Sequence, residues 1–455
     1  MDWFQTIAAE VVAGRLRLIL KGELRQREVQ DPIIFQGVAH IDQDAQGGLA
    51  LRFVCESASD SFDPEVGLPK PRKGKITAEH FHFDLSGTDS EAQLWTAERI
   101  LLCLDRPSEK LGFPTKPDGF DVALGQIPEI VTEHPCEMKD GNRSEMTWVV
   151  PGKLPSPCPG VGLPWKIQVD ECSGSVVYDN EQNTVIGFDA PSDQIEVMSS
   201  RFHRALSMLS SRHLQPRCLC KRSGGVEAVH ILSRKRHVES QALLWIPTRH
   251  WDGWNLFIEK WLSANQTCHS AKAKSDGRPI QDVIYHFWYR FYRAYSVDIE
   301  NGAQVLTSSI EGMAKRYFAV PPAQLVTERE QEFASAKEFL KRADRKKFGR
   351  AVDMLTAAIK NEADNKRPAV EFLLDALVND RRITGVMVKS WNNIRHKAAH
   401  GDHLITTSAD IERFDPDFFQ CFEAFKRLCM FAIDYDGPAQ DFSVEGWPVL
   451  RNAPR

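Results

Sequence analysis

Arg395 and His400 are separated by four residues in the segment Trp391-Asn-Asn-Ile-Arg-His-Lys-Ala-Ala-His-Gly401. A histidine changes charge near neutral pH, so it can take a proton from one oxygen and hand one to another. An arginine keeps its charge and presents a planar fork of donors that matches phosphate oxygens. Together they suit displacement at phosphorus in RNA. That chemistry needs a proton acceptor for the ribose 2′-hydroxyl, a proton donor for the leaving oxygen and a cation for the charge gathering on the phosphate. On an ideal helix five steps turn through about 500°, which leaves the two directions roughly 140° apart. Gly401 favours a helix end after His400. A frayed last turn there would let the ring swing back toward the arginine. The plain alternative is a histidine that only meets the negative end of the helix dipole, beside solvated charges at Arg395 and Lys397.

Around this pair, Asn392, Asn393, His396 and Glu311 are candidate supporting residues; Glu311, on an earlier helix, could orient a basic side chain or simply pair with a neighbouring lysine. A run from Lys341 to Arg350 concentrates Lys341, Arg342, Arg345, Lys346, Lys347 and Arg350, enough for a local track of phosphate contacts, although a solvated turn explains it about as well. In Tyr285 to Tyr295 aromatics alternate with Arg290 and Arg293. Base stacking is conceivable there, but so many aromatics in succession point first to packing between domains. His213, Cys218 and Cys220 are weighed as a zinc set and set aside: the reading takes a strand to point the two thiols apart, and no second pair stands at ligand spacing. No metal and no cofactor is expected. Phosphate-binding glycine loops, a Gly-x-Ser-x-Gly elbow and a His-Glu-x-x-His pair are absent from the sequence, which disfavours nucleotide hydrolases, serine hydrolases and metalloproteases.

The elements that must hold these residues divide the 455-residue chain. Its length asks for two or three domains. With 42% hydrophobic and 26% charged residues it has an ordinary globular composition, and a formal net charge of −5 leaves any RNA-binding surface to a local patch. Met1-Asp-Trp-Phe lacks the positive start of a signal peptide and no stretch is apolar enough for a membrane span, so a cytoplasmic location without membrane contact is expected. The ten scattered cysteines then read as free thiols. Short apolar or alternating runs at 15–20, 32–37, 48–54, 77–83, 146–150, 165–169 and 175–178 predict an antiparallel sandwich or barrel. Helical spacing begins near 192, a strand-like return follows at 226–232, and from Trp254 onward nearly everything is helical. Beyond the Ser-, Lys- and Gly-rich gap 263–278, helices are expected over 282–318, 328–343, 348–359, 370–378, 383–399 and 418–433.

An arginine, four residues and a histidine on a late helix of an all-helical region, with Ile310-Glu-Gly-Met-Ala on an early one, resembles the HEPN ribonucleases. The resemblance implies metal-independent cutting of RNA by Arg395 and His400, in a homodimer that brings two such motifs together. A β-rich half with the strand Phe35-Gln-Gly-Val38 ahead of such a bundle is similar to the ApeA family of bacterial abortive-infection proteins. That similarity implies an anti-phage role in which a phage-derived trigger is sensed by the first half. The expected class is α+β: a β-rich sensor or regulatory domain at 1–240, a helical connector and linker at 241–280, a HEPN-like bundle at 281–440 and a tail at 441–455. The competing expectation is a non-catalytic module that binds RNA or protein.

Overall fold

The computed structural model describes residues 3–44, 46–62, 68, 77–105, 122–138, 140–180, 183–233, 243–264, 278–317, 323–342, 345–364, 370–400 and 408–451. They form two compact units, one from 1–203 and 214–238, the other from 204–213 and 239–455. The class is α+β, a β-barrel-containing region followed by a helical one. Among the described residues no helix is long and apolar enough to cross a membrane.

In the first unit, helix α1 (Trp3–Val12) precedes strands β1 (Arg17–Gln26), β2 (Ile34–Gln43), β3 (Leu49–Ala58), β4 (His82–Thr88), β5 (Leu94–Asp105) and β6 (Val122–Ile127). These six close into an antiparallel ring in the order β4-β1-β2-β3-β6-β5, shut by pairing of β4 with β5. Alternation decides which residues fill it: Phe35, Ala39 and Ile41 of β2 are buried while Gln36 and Asp42 are exposed. Gly37, Gly22 and Gly87 stand side by side across β2, β1 and β4. A Cβ on Gly22 would lie 2.0 Å from the Ser86 carbonyl oxygen, and one on Gly37 the same distance from that of Val54. Only glycine lets the strands approach this closely, which is how a small ring turns its corner.

The sheet continues from β5 through β7 (Glu129–Pro135). The next strand in sequence, β8 (Arg143–Val150), does not pair with β7. Between them lies a late hairpin, β12 (Cys218–Ser223) with β13 (Val226–Leu232), bonded to β8 on one side and β7 on the other. Beyond β8 follow β11 (Thr184–Pro191), β10 (Cys172–Tyr178) and β9 (Trp165–Val169). Phe4, Ala8 and Val11 of α1 belong to the same buried cluster as Val149, Cys218 and Cys220. The helix α2 (Ile195–Leu209) sets Phe202 against Phe188, with ring centroids 4.9 Å apart.

Differences from the expected strands have local causes. Glu79–Phe81 forms a single 3-10 turn and β4 starts only at His82. Cys218 and Cys220 do not point apart: two residues along a strand return to the same face, and both thiols are buried in the core, where burial raises the Cys218 pKa. The described cysteines are free thiols.

The second unit holds α3 (Trp251–Ser263), α4 (Ile280–Tyr295), α5 (Ile299–Tyr317), α6 (Ala323–Arg342), α7 (Arg345–Asp364), α8 (Val370–Asn379), α9 (Gly385–His400) and α10 (Ser408–Ala432). The expected helix 282–318 is two helices. Asp298 ends the first by capping the second, its Oδ1 accepting from the Asn301 backbone N–H at 2.6 Å. The aromatic run on α4 is interior packing of this unit: Phe287, Trp288, Phe291 and Tyr292 are buried, and the Phe291 ring lies 5.5 Å from that of Phe422 on α10. Two segments read from the sequence as connector and tail fold with the helices. Trp254, Phe257 and Trp261 of α3 are fully buried, and Trp245 and Phe257 stand edge to face. Residues 439–451 carry a small ladder of β14 (Ala439–Gln440) with β15 (Val449–Leu450), and Phe442 is buried.

Candidate active site

The helix α9 is held by three kinds of contact. Thr384 caps its start, its hydroxyl accepting from the Met387 N–H at 3.3 Å. Met387, Val388, Trp391 and Ile394, spaced by one, three and three residues, form its buried stripe. Asp417 of α10 then accepts from Ser390 at 2.6 Å and from the Asn393 side-chain amide at 3.1 Å. Against α5, the buried Trp391 indole N–H donates to the Thr307 carbonyl at 3.0 Å. The helix is thereby fixed in rotation as well as in position.

Arg395 stands one turn beyond Trp391, where the stripe reaches solvent. Its guanidinium lies over the Trp391 ring at 5.0 Å, and its Nε is 3.5 Å from Glu311 Oε2 on α5. Glu311 also receives Lys315, one turn further along α5. Both expected partners of Glu311 therefore occur together, a shared carboxylate between two cations. The Arg395 side chain is 46% exposed and that of Glu311 24% exposed. An aromatic plane and a carboxylate fix the direction of the guanidinium while leaving donors toward solvent, which is what recognition of a phosphate requires.

The chain matches no protein-family model, no curated protein and no solved structure. The site has therefore to be read from its own chemistry. Of the supporting residues expected from the sequence, Glu311 is brought to Arg395, Asn393 is turned instead to Asp417, Asn392 is half-buried and His396 is exposed. The backbone stays helical through His400, so no frayed turn precedes that residue. The side chains of Lys397 and His400 lie outside the described residues. Lys341 and Arg342 end α6, Arg345, Lys346 and Lys347 open α7, and Arg350 follows. Of these, the side chains of Lys341, Arg342 and Arg350 are described, and all three are exposed. Lys341 also pairs with Glu338 at 2.7 Å. Among the described residues no group of three or more His, Cys, Asp or Glu side chains is disposed to hold a metal ion.

Sequence reasoning did not single out Trp391, Lys315 or Asp417 as parts of this site. The first had a usable signal, since it precedes Arg395 by four residues and so shares its helix face. Asp417 had none, because its role depends on how α10 crosses α9.

Proposed function

We propose that the helical unit is a metal-independent endoribonuclease of the HEPN type, in which Arg395 and His400 carry the cleavage, and that the chain acts in bacterial abortive-infection defence against phage. The observation that supports this reading most is the Arg395 guanidinium, laid on Trp391 and directed by Glu311 at the solvent end of α9. In the reaction the 2′-hydroxyl loses its proton to a histidine and attacks phosphorus. The bond to the 5′-oxygen breaks, that oxygen takes a proton from a histidinium, and the products are a 2′,3′-cyclic phosphate and a 5′-hydroxyl. Arg395 serves the charge on the phosphate oxygens between these states.

A helix unbroken through His400 bears on where the histidines come from. Positions 395 and 400 stand roughly 140° apart around the axis of a regular helix. One phosphate is then better met by residues of two copies than by one motif alone, and a homodimer is part of the proposal. Exposed Lys341, Arg342 and Arg350 are the proposed contacts to the RNA backbone. The first unit is proposed to sense a phage-derived trigger.

The test is end-labelled RNA incubated with the purified full chain in EDTA. Cleavage leaving cyclic phosphate ends is expected, together with slowed growth of bacteria that express the chain without restraint. Retention of RNA without cutting would favour the second reading, a binding module in which Arg395 only contacts phosphate. Arg395 already carries a carboxylate partner, which is the observation that favours that reading. Activity abolished by the chelator would remove the metal-free mechanism.

A further inference from the structure

The helix α7 has two apolar stripes and only one of them is used. Val352 is buried and Ile359, seven residues on and so on the same side, is half-buried; α7 packs against α6. A second stripe, Ala351, Met354, Leu355 and Ala358, follows the spacing of three, four and seven residues that marks one helix face. All four residues are exposed, Met354 at 67% and Leu355 at 53%. Large side chains flanked by alanines suit a close helix-to-helix approach, and exposed apolar stripes of this length mark interaction surfaces.

The sequence of α7 identifies the occupant. Its first turn carries Arg345, Lys346 and Lys347 and no acid, and its last carries Glu362 and Asp364 and no base. This is the reverse of what the helix dipole favours, since cations crowd the positive end and anions the negative. An isolated helix is weakened by that arrangement. An antiparallel copy of the same helix is not, because it brings an acidic end beside each basic one. Reading outward from the midpoint between Met354 and Leu355, Met354 pairs with Leu355 and Ala351 with Ala358, and by position along the same helix face Lys347 falls opposite Glu362. The stripe and its charges are thus self-complementary under a two-fold axis at the middle of the helix, the condition an isologous contact must meet.

We infer that α7 is a docking surface for α7 of a second copy of this chain, packed antiparallel about a two-fold axis between Met354 and Leu355. The inference shares with the ribonuclease reading the expectation of a dimer, so a monomeric wild type counts against both, whereas a loss of mass in α7 variants that still cut RNA, or a dimer whose Arg395 variants fail to cut, separates the two. Two helices of 20 residues touch along about 30 Å. Such a contact falls at the small end of specific interfaces, so association is expected in the micromolar range.

Sedimentation velocity of the full chain from about 1 to 100 μM tests it, a range that brackets a micromolar dissociation constant. The wild type is expected to pass from monomer to dimer. Met354→Glu combined with Leu355→Glu should weaken the dimer at least about tenfold, since it places four carboxylates at the axis. Lys347→Glu and Glu362→Lys should each weaken it, and the two together should restore it, because the swap recreates opposite charges across the axis. Restoration by the double swap also excludes misfolding as the cause of the single effects. A wild type that stays monomeric throughout, a dimer untouched by the glutamate pair, or a double swap no better than either single change would overturn the assignment.

Discussion

Glu423→Gln should destabilise the helical unit far more than its conservative shape suggests. Glu423 is wholly buried and both its oxygens are in use: Oε1 accepts from Arg427 Nε at 2.7 Å, and Oε2 from Lys426 Nζ at 2.7 Å and from the Phe442 N–H at 3.0 Å. The Lys426 and Arg427 side chains are only 2% and 9% exposed. Arg427 reaches Asp441 at 3.3 Å, and Lys426 also donates to the Gln440 carbonyl. After the substitution two buried cations share one carboxylate among the described residues. Removing one member of a buried pair costs about 3–5 kcal/mol, and a domain of this size loses roughly 2–4 °C per kcal/mol, so Tm should fall by about 10 °C. Burial holds the Lys426 pKa below its ordinary value and Glu423 opposes that depression. Without Glu423 the ammonium is depressed further. Between the lowered folded value and the ordinary unfolded one, the unfolded chain binds more protons, so stability rises with pH. The variant's deficit should therefore shrink as pH is raised from 7 toward 10. Thermal unfolding followed by near-ultraviolet circular dichroism checks both points. A loss below about 3 °C at pH 7, or a deficit that deepens with pH, would refute the reasoning.

Glu311→Gln touches a similar pattern of a glutamate with two cations, but at a partly exposed site, and should cost less than about 1 kcal/mol in the same melting assay. Arg395→Ala and His400→Ala should each lower RNA cleavage by about 10²- to 10⁴-fold, while Lys397→Ala keeps most of it; gel-resolved initial rates decide, and two folded but active variants would end the active-site assignment. Trp391→Phe keeps a ring under Arg395 but deletes the donor to Thr307, with an expected loss of about 1 kcal/mol in denaturant titration. In the first unit, burial pushes the Asp89 pKa up, but hydrogen bonds from the Trp95 indole and the Gln93 and Glu91 backbone outweigh it and leave the group below its ordinary value. A lowered carboxylate stabilises above its unfolded pKa and loses that contribution as pH falls through the folded one. Asp89→Asn should accordingly flatten the fall of Tm below about pH 4.

The helical half was the more legible because its signals are local. Buried positions recur every three or four residues, so α8, α9 and the body of α7 fall within a few residues of expectation. The break between α4 and α5 escaped because apolar spacing continues across Val297-Asp298, and the cap is a single aspartate. Among the strands, β9 and β13 coincide with the expected runs. The strands β5, β6, β7 and β11 were not expected, and β12 was read only as a strand under Cys218 and Cys220. They mix exposed apolar residues such as Leu94, Leu101 and Leu124 with buried polar ones such as Thr132 and Thr184, which blurs alternation. At the candidate site, the pairing of Arg395 with Glu311 could be proposed from residue types, whereas Trp391 and Asp417 gained their roles from helix crossings that no local pattern encodes.

The late hairpin wedged between β7 and β8 has a consequence for how the chain is made. Each of the two strands lacks one neighbour until residues 218–232 have been synthesised, although the pairings that close the six-stranded ring involve nothing beyond residue 127; the buried cluster of the ring, by contrast, also takes in Cys218, Cys220, Val229 and Ile231. Where the ring strands pair in the order of synthesis, the first unit is expected to pass through a stage in which β7 and β8 each keep one open edge. Open edges are templates for wrong pairing, and distant pairings form slowly. A nascent chain stalled or truncated near residue 210 would keep that gap, and aggregation would be its expected fate. On that route the last strands of the first unit seal its biogenesis: they follow α2 in the chain, and their pairing covers the two edges of β7 and β8.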